Sequence, residues 1–202
     1  DWLLHTYGKL TVHENRIAAV QDDAAADVTV LAPEAFQYEV CEKPLSEAGA
    51  PQPFEGVEAV RFVKLRPAGP VQRGYFLSVL APRPASAPPS GAVTAVRGPN
   101  TLGARIVHGA VEDLALFAQD QPEIDAAGIA AVGHSCFIRR SGGRITAVTL
   151  HNGQRLSVDG NPMFETDGCG HAALTITDGD GEVTAKLDIY DGTKLSLHVP
   201  RR

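Results

Sequence analysis

The second half of the chain is punctuated by glycine-bearing turn signals, SGGR, HNGQ, VDGN, TDGDGE and YDGT, each set between runs rich in Val, Ile, Leu and Thr. Gly-Gly, Asn-Gly and Asp-Gly dipeptides supply the left-handed backbone that a two-residue hairpin turn requires. Turns recurring every ~8 to 12 residues leave room for short strands and little else, which is the pattern of an antiparallel meander. The intervening segments alternate apolar and polar residues with a period of two, as in KLTVHENRI, VEAVRFVKL and RGYFLSVLA. TLGARIVHGAVEDLALFA is the stretch with some helical character, but its β-branched start and the break at Gly109 favour two short strands. The expected fold is all-β: an antiparallel β-sandwich of meander hairpins in two stacked sheets, with little helix.

One hairpin can be taken to individual pairs. A two-residue turn at Gly142-Gly143 sets Phe137 against Val148 and Ser135 against Leu150 on one face. On the other face Ile138 meets Ala147, Cys136 meets Thr149, and His134 lies opposite His151. Asn152-Gly153 then reads as the next turn, returning QRLSV as a third strand.

At 202 residues the chain is long enough for one generous domain, and a chain of this size buries roughly 70% of its unfolded surface without staples. PRPASAPPSG, residues 82–91, cannot pair as a central strand or fill a core, and it reads as an exposed connection. The expectation is a single domain over 1–202, with a two-lobe division at this segment as the alternative. Cys41, Cys136 and Cys169 are too widely spaced for a CxxC motif. They are read as three buried thiols, with one bridge plus a free thiol as the alternative. A net charge of −6 and no run of five Lys or Arg argue against nucleic acid. No apolar stretch approaches the ~20 residues that span a bilayer.

Candidate chemistry centres on the histidines. His134 and His151, opposed across a hairpin, could share a zinc ion if a carboxylate completed the site. His5 and Tyr7 stand at i and i+2 and project from one face of a strand, able to share a cleft. TDGDGE gathers three carboxylates around two glycines, but it lacks the spacing of a calcium loop. GHSCF is no nucleophile elbow, because His134 and Ser135 point to opposite faces. Cys136 shares a face with His134 but has no orienting carboxylate nearby. No cofactor is predicted from these motifs, with zinc or calcium as the alternatives.

DWLLHTYGKL resembles the opening of the C-terminal β-sandwich in heparinase II/III-like polysaccharide lyases, where an Asp-aromatic-apolar-apolar-His strand follows a helical domain. ARIVHGAVEDLALFAQ and the meander from Ile129 to Val158 are similar to later strands of that domain. The resemblance implies a parent enzyme that cleaves uronate-containing acidic polysaccharides by β-elimination, its partners being the glycan and an N-terminal helical domain. Tyr and His commonly act as base and acid there, usually from the helical domain, so those residues have no counterpart here. His5 is the position matching the strand that lines the family's cleft, with Tyr7 beside it, whereas His13 fits no zinc spacing. It also implies a periplasmic or extracellular location. With no initiating Met and no leader before Asp1, the expectation is a domain fragment that is folded but catalytically silent, its formerly covered apolar surface exposed. The alternatives are a stand-alone β-sandwich module that binds carbohydrate or protein, with Trp2, Tyr7, Tyr38 and Tyr75 as sugar platforms, and a purely structural β module.

Overall fold

The computed structural model describes residues 1–44, 59–89, 91–176, 183–189 and 195–197. Its regular structure is antiparallel β throughout, in three sheets, with no helix among the described residues. Among the described residues no helix is therefore long and apolar enough to cross a membrane. Two compact units divide the chain, Asp1–Ser90 and Gly91–Arg202.

The first unit contains β1 (Trp2–Thr6), β2 (Lys9–His13), β3 (Arg16–Gln21), β4 (Ala24–Ala32), β5 (Phe36–Pro44), β6 (Ala59–Pro67) and β7 (Leu77–Pro84). They form two sheets, ordered β1-β6-β5 and β2-β3-β4-β7. Period-two alternation sends one set of side chains from each sheet inward. Ile17, Val28 and Val30 of the four-stranded sheet join Val63 and Leu65 of the three-stranded one in a single core, with Trp2, Leu4, Leu10, Val12, Phe36 and Phe76 against it. That shared core is what makes the unit a sandwich, because each sheet has one apolar face and each covers the other's.

The Pro-rich segment begins inside this unit. Pro82 and Pro84 belong to β7, paired with Ala26 and Ala24, so the exposed connection predicted from residue 82 starts later. Proline is tolerated there because β7 is an edge strand and its outer N–H groups have no ladder partner. Arg83 between them donates to both carboxylate oxygens of Asp27, at 2.6 and 3.2 Å, and to the carbonyls of Pro84, Ala85 and Ala87.

The second unit holds β8 (Ala92–Gly98), β9 (Thr101–His108), β10 (Val111–Ala118), β11 (Glu123–Ala126), β12 (Ile129–Ser141), β13 (Arg144–Val158), β14 (Asn161–Ile176), β15 (Val183–Ile189) and β16 (Leu195–Leu197). The order is β15-β14-β13-β12-β10-β9-β8, with β11 on β12 and β16 on β14. Three turns have positive φ at both central residues, as the type I′ class demands: Ala127-Gly128, Gly142-Gly143 and Asp159-Gly160. The SGGR and VDGN turns and the break at Gly109 stand as the sequence predicts; TDGDGE and YDGT lie outside the described residues.

HNGQ is different. The chain does not turn at Asn152-Gly153; QRLSV is the second half of β13, a strand of 15 residues. Asn152 takes a φ of 49° within the strand, and the pairing with β14 shifts on both sides of Gly153. The feature is a β-bulge, which bends and twists a strand without ending it. Gly133, Gly153 and Gly170 align across β12, β13 and β14 at this bend. A Cβ on Gly153 would stand 2.5 Å from the Val132 carbonyl oxygen and 2.9 Å from both the Gly133 Cα and the Leu150 side chain. The regions on either side of the bend bury into one core: Cys136 and Ile138 of β12 with Val148 and Leu150 of β13 on one side, and Ile129 of β12, Leu156 and Val158 of β13 and Phe164 of β14 on the other. Strands that bend at bulges to serve two layers are one route to closing a sandwich.

The β12–β13 register also departs from the simple hairpin. Ser141 pairs with Arg144 and Arg140 with Ile145, but a shift between Arg139 and Arg140 moves the pairs from Arg139 to Gly133 by one, and a second shift follows between Gly133 and Val132. Ile138 therefore faces Val148, Cys136 faces Leu150, Phe137 faces Thr149, and Ser135 faces His151. The cause is burial. An unbroken register would have put Val148 and Leu150 on the face opposite Ile138 and Cys136, whereas one extra residue brings all four onto the core side.

Candidate functional site

Two exposed places collect the residues singled out above, one in each unit. In the first unit Asp1, Leu3, His5 and Tyr7 are exposed, alternating with half-buried Trp2, Leu4 and Thr6. His5 and Tyr7 thus share the outward side of β1 and its exit, as their spacing predicts. His5 pairs with Phe62 of β6, their ring centroids 5.5 Å apart and inclined at 56°. The Tyr7 carbonyl accepts a hydrogen bond from the Arg61 guanidinium at 3.2 Å.

The neighbouring strand adds charge. Lys64 pairs with Leu3, and its ammonium lies 2.9 Å from the Asp1 carboxylate. Arg66 reaches Asp1 at 3.5 Å and Glu39 at 3.7 Å. Cys41 of β5 completes the row opposite Phe62. Partial desolvation, then the neighbouring Glu39 carboxylate, raise its pKa, so the thiol is not activated. The exposed His5 imidazole beside the Phe62 ring can hydrogen-bond an incoming carboxylate, while Lys64 and Arg66 further along β6 are paired with Asp1 and Glu39.

The second place lies at the bend of the other unit. His134 and His151 are not opposed: the shift at Arg139/Arg140 moves His151 opposite Ser135. His134 instead contacts the side-chain amide of Asn152, Nδ1 to Nδ2, at 2.9 Å. The partner of His151 is His171 of β14, with Nδ1 to Nδ1 at 3.0 Å, ring centroids 5.1 Å apart and planes at 71°. Sequence reasoning missed His171, because finding it depends on reading Asn152-Gly153 as a bulge and counting the β13–β14 register through it. Among the described residues no group of three or more His, Cys, Asp or Glu is arranged to hold a metal.

The remaining candidates separate. Cys136 is buried at 4% exposure while His134 is exposed, and burial pushes the Cys136 thiol up to about 12. That thiol is neither ionised nor reachable, so the GHSCF segment makes no nucleophile–base pair. His13 and His108 are exposed at the ends of β2 and β9, and His198 lies outside the described residues. Of the proposed sugar platforms, Trp2 packs against the core and Tyr75 is half-buried with the Arg73 guanidinium 5.6 Å over its ring. Tyr38, at 50% exposure, and Tyr7, at 36%, remain presented to solvent. Compared with known protein families and with curated proteins, the chain matches none of them.

Proposed function

We propose that this chain is the β-sandwich part of a polysaccharide lyase that cleaves uronate-containing acidic glycans by β-elimination, with the base- and acid-bearing helical part supplied by another segment of the same protein. The observation that carries this reading is the outward face of β1, where His5 stands exposed against the Phe62 ring. β-Elimination requires neutralisation of the sugar carboxylate so that the adjacent proton becomes acidic. The His5 imidazole can donate a hydrogen bond to that carboxylate, and the exposed Tyr7 stands on the same side of the strand. Exposed apolar side chains add support. Among the described residues Leu3, Tyr7, Val20, Tyr38, Val40, Val71 and Leu80 of the first unit are exposed, against Phe117 alone in the second, as a surface made to be covered would be. A periplasmic or extracellular location goes with this reading.

The test is His5→Ala in the parent enzyme. Turnover on polyuronates, followed by ultraviolet absorbance of the unsaturated product, is expected to fall by roughly ten- to a hundredfold. Unchanged turnover on every acidic glycan tried would remove His5 from the site, and lyase activity from the 202-residue chain alone would sink the proposal. The half-exposed Tyr38 favours a second reading, a non-catalytic carbohydrate-binding module. That reading expects saturable binding of neutral glycans, abolished by Tyr38→Ala and indifferent to His5→Ala.

A further inference from the structure

We infer that His151 and His171 form a two-imidazole chelate for a divalent transition metal, with zinc as its first candidate. Their Nδ1 atoms are 3.0 Å apart across neighbouring strands, so both rings turn the same nitrogen toward one point. A hydrogen bond there uses one ring as donor and the other as acceptor, which needs unlike tautomers. If both rings carry their proton on Nε2 instead, two lone pairs converge on the same spot. Zinc–nitrogen bonds of ~2.0–2.1 Å at a tetrahedral angle place two donors about 3.3 Å apart. Chelation therefore needs the nitrogens to part by a few tenths of an ångström and the rings to turn about their χ angles until both lone pairs meet at the ion.

The scaffold supports that geometry. Each histidine adjoins an inward anchor on its own strand, Leu150 at 0% and Ala172 at 6% exposure, and those anchors are themselves register partners. Sheet positions held by packed neighbours keep ligands in place better than loops do. His151 is exposed and His171 half-buried, so an ion can enter and water can fill the other two tetrahedral positions. His134 is engaged by Asn152 and is not needed. Imidazole suits zinc, copper and nickel, and the hard cations that prefer oxygen are excluded by the donor type.

The experiment is calorimetric titration of the full chain with Zn²⁺, alongside thermal unfolding with and without the ion. Saturable binding of one ion and a zinc-dependent rise in Tm are expected. His151→Ala and His171→Asn should each weaken binding by at least about tenfold and abolish the rise in Tm. His108→Ala, on β9 and three strands away in the sheet order, should leave both unchanged. Circular dichroism establishes that each variant is folded, and the two independent positions keep the test open if one fails to fold. Absence of saturable binding, binding that survives both substitutions, or equal loss on His108→Ala would overturn the inference.

Discussion

Gly153→Ala tests whether Asn152-Gly153 is a bend inside a strand. The added methyl would sit 2.5 Å from the Val132 carbonyl oxygen and 2.9 Å from the Gly133 Cα. Both are backbone atoms of the adjoining strand, so relief requires parting β12 from β13 at the bend. Overpacking of this kind costs ~1–3 kcal/mol, and backbone obstacles push toward the upper end. Replacing glycine also restricts the unfolded chain, returning about 0.4–1 kcal/mol. The net loss is about 2 kcal/mol, or roughly thirtyfold in the folding equilibrium. Gly143→Ala is the control, because a methyl there meets nothing within 4 Å and the strain comes only from a φ of 80°. That substitution should cost about 1 kcal/mol. Urea unfolding followed by circular dichroism measures both, and hydrogen exchange should localise the Gly153 effect to residues 129–172. Were Gly153 a hairpin turn residue, it would cost no more than Gly143. A Gly153→Ala loss within about 0.5 kcal/mol of zero, or smaller than that of Gly143→Ala, refutes the bend.

Two further outcomes follow from buried and paired groups. Cys136 should resist a disulfide reagent at pH 8 until the chain unfolds, while half-exposed Cys41 reacts in the native state; equal native rates would contradict the burial of Cys136. Its folded pKa is raised from 9.0 to about 12, so the unfolded thiol ionises first. The associated stability is intact below pH 9.0 and is lost as pH climbs through that interval, a loss that Cys136→Ala should remove. Glu112 is shifted the other way: hydrogen bonds and charge from Arg105, with Arg140 assisting, hold its carboxyl below the usual range. Its contribution is present above the ordinary glutamate pKa of about 4.3 and disappears as pH falls through the lower folded value. Glu112→Gln should therefore flatten the acid limb of stability measured by urea unfolding, and an unchanged limb would count against the pairing.

That His5 and Tyr7 share a face was legible in LHTYG, because residues two apart on a strand point the same way whatever surrounds them; that this face is the outward one was not. Trp2 was not legible as a core residue: its alternation partners with Leu4 show that the two share a face, but only the second sheet makes that face the interior. The histidine pairing in the second unit depended on more distant facts. His134 and His151 are equally spaced from Gly142-Gly143, yet one extra residue near Arg139 separates them and a second irregularity brings His171 to His151.

By itself the sequence determined the local elements: strands from period-two alternation, and turns at Gly109, Gly142-Gly143 and Asp159-Gly160 from residues that tolerate positive φ. These signals act within a few bonds of the residues that carry them. The tertiary structure decided which left-handed residue turns the chain and which only bends it. Asn152 satisfies the backbone of a hairpin and of a bulge alike, so its own preference is silent between them. The choice fell to side chains far apart in sequence. Leu150 and Leu156 can both be buried with Cys136, Ile138 and Phe164 when β13 continues through the bend. Register is thus settled by burial across the sheet, a property no local stretch of the chain contains.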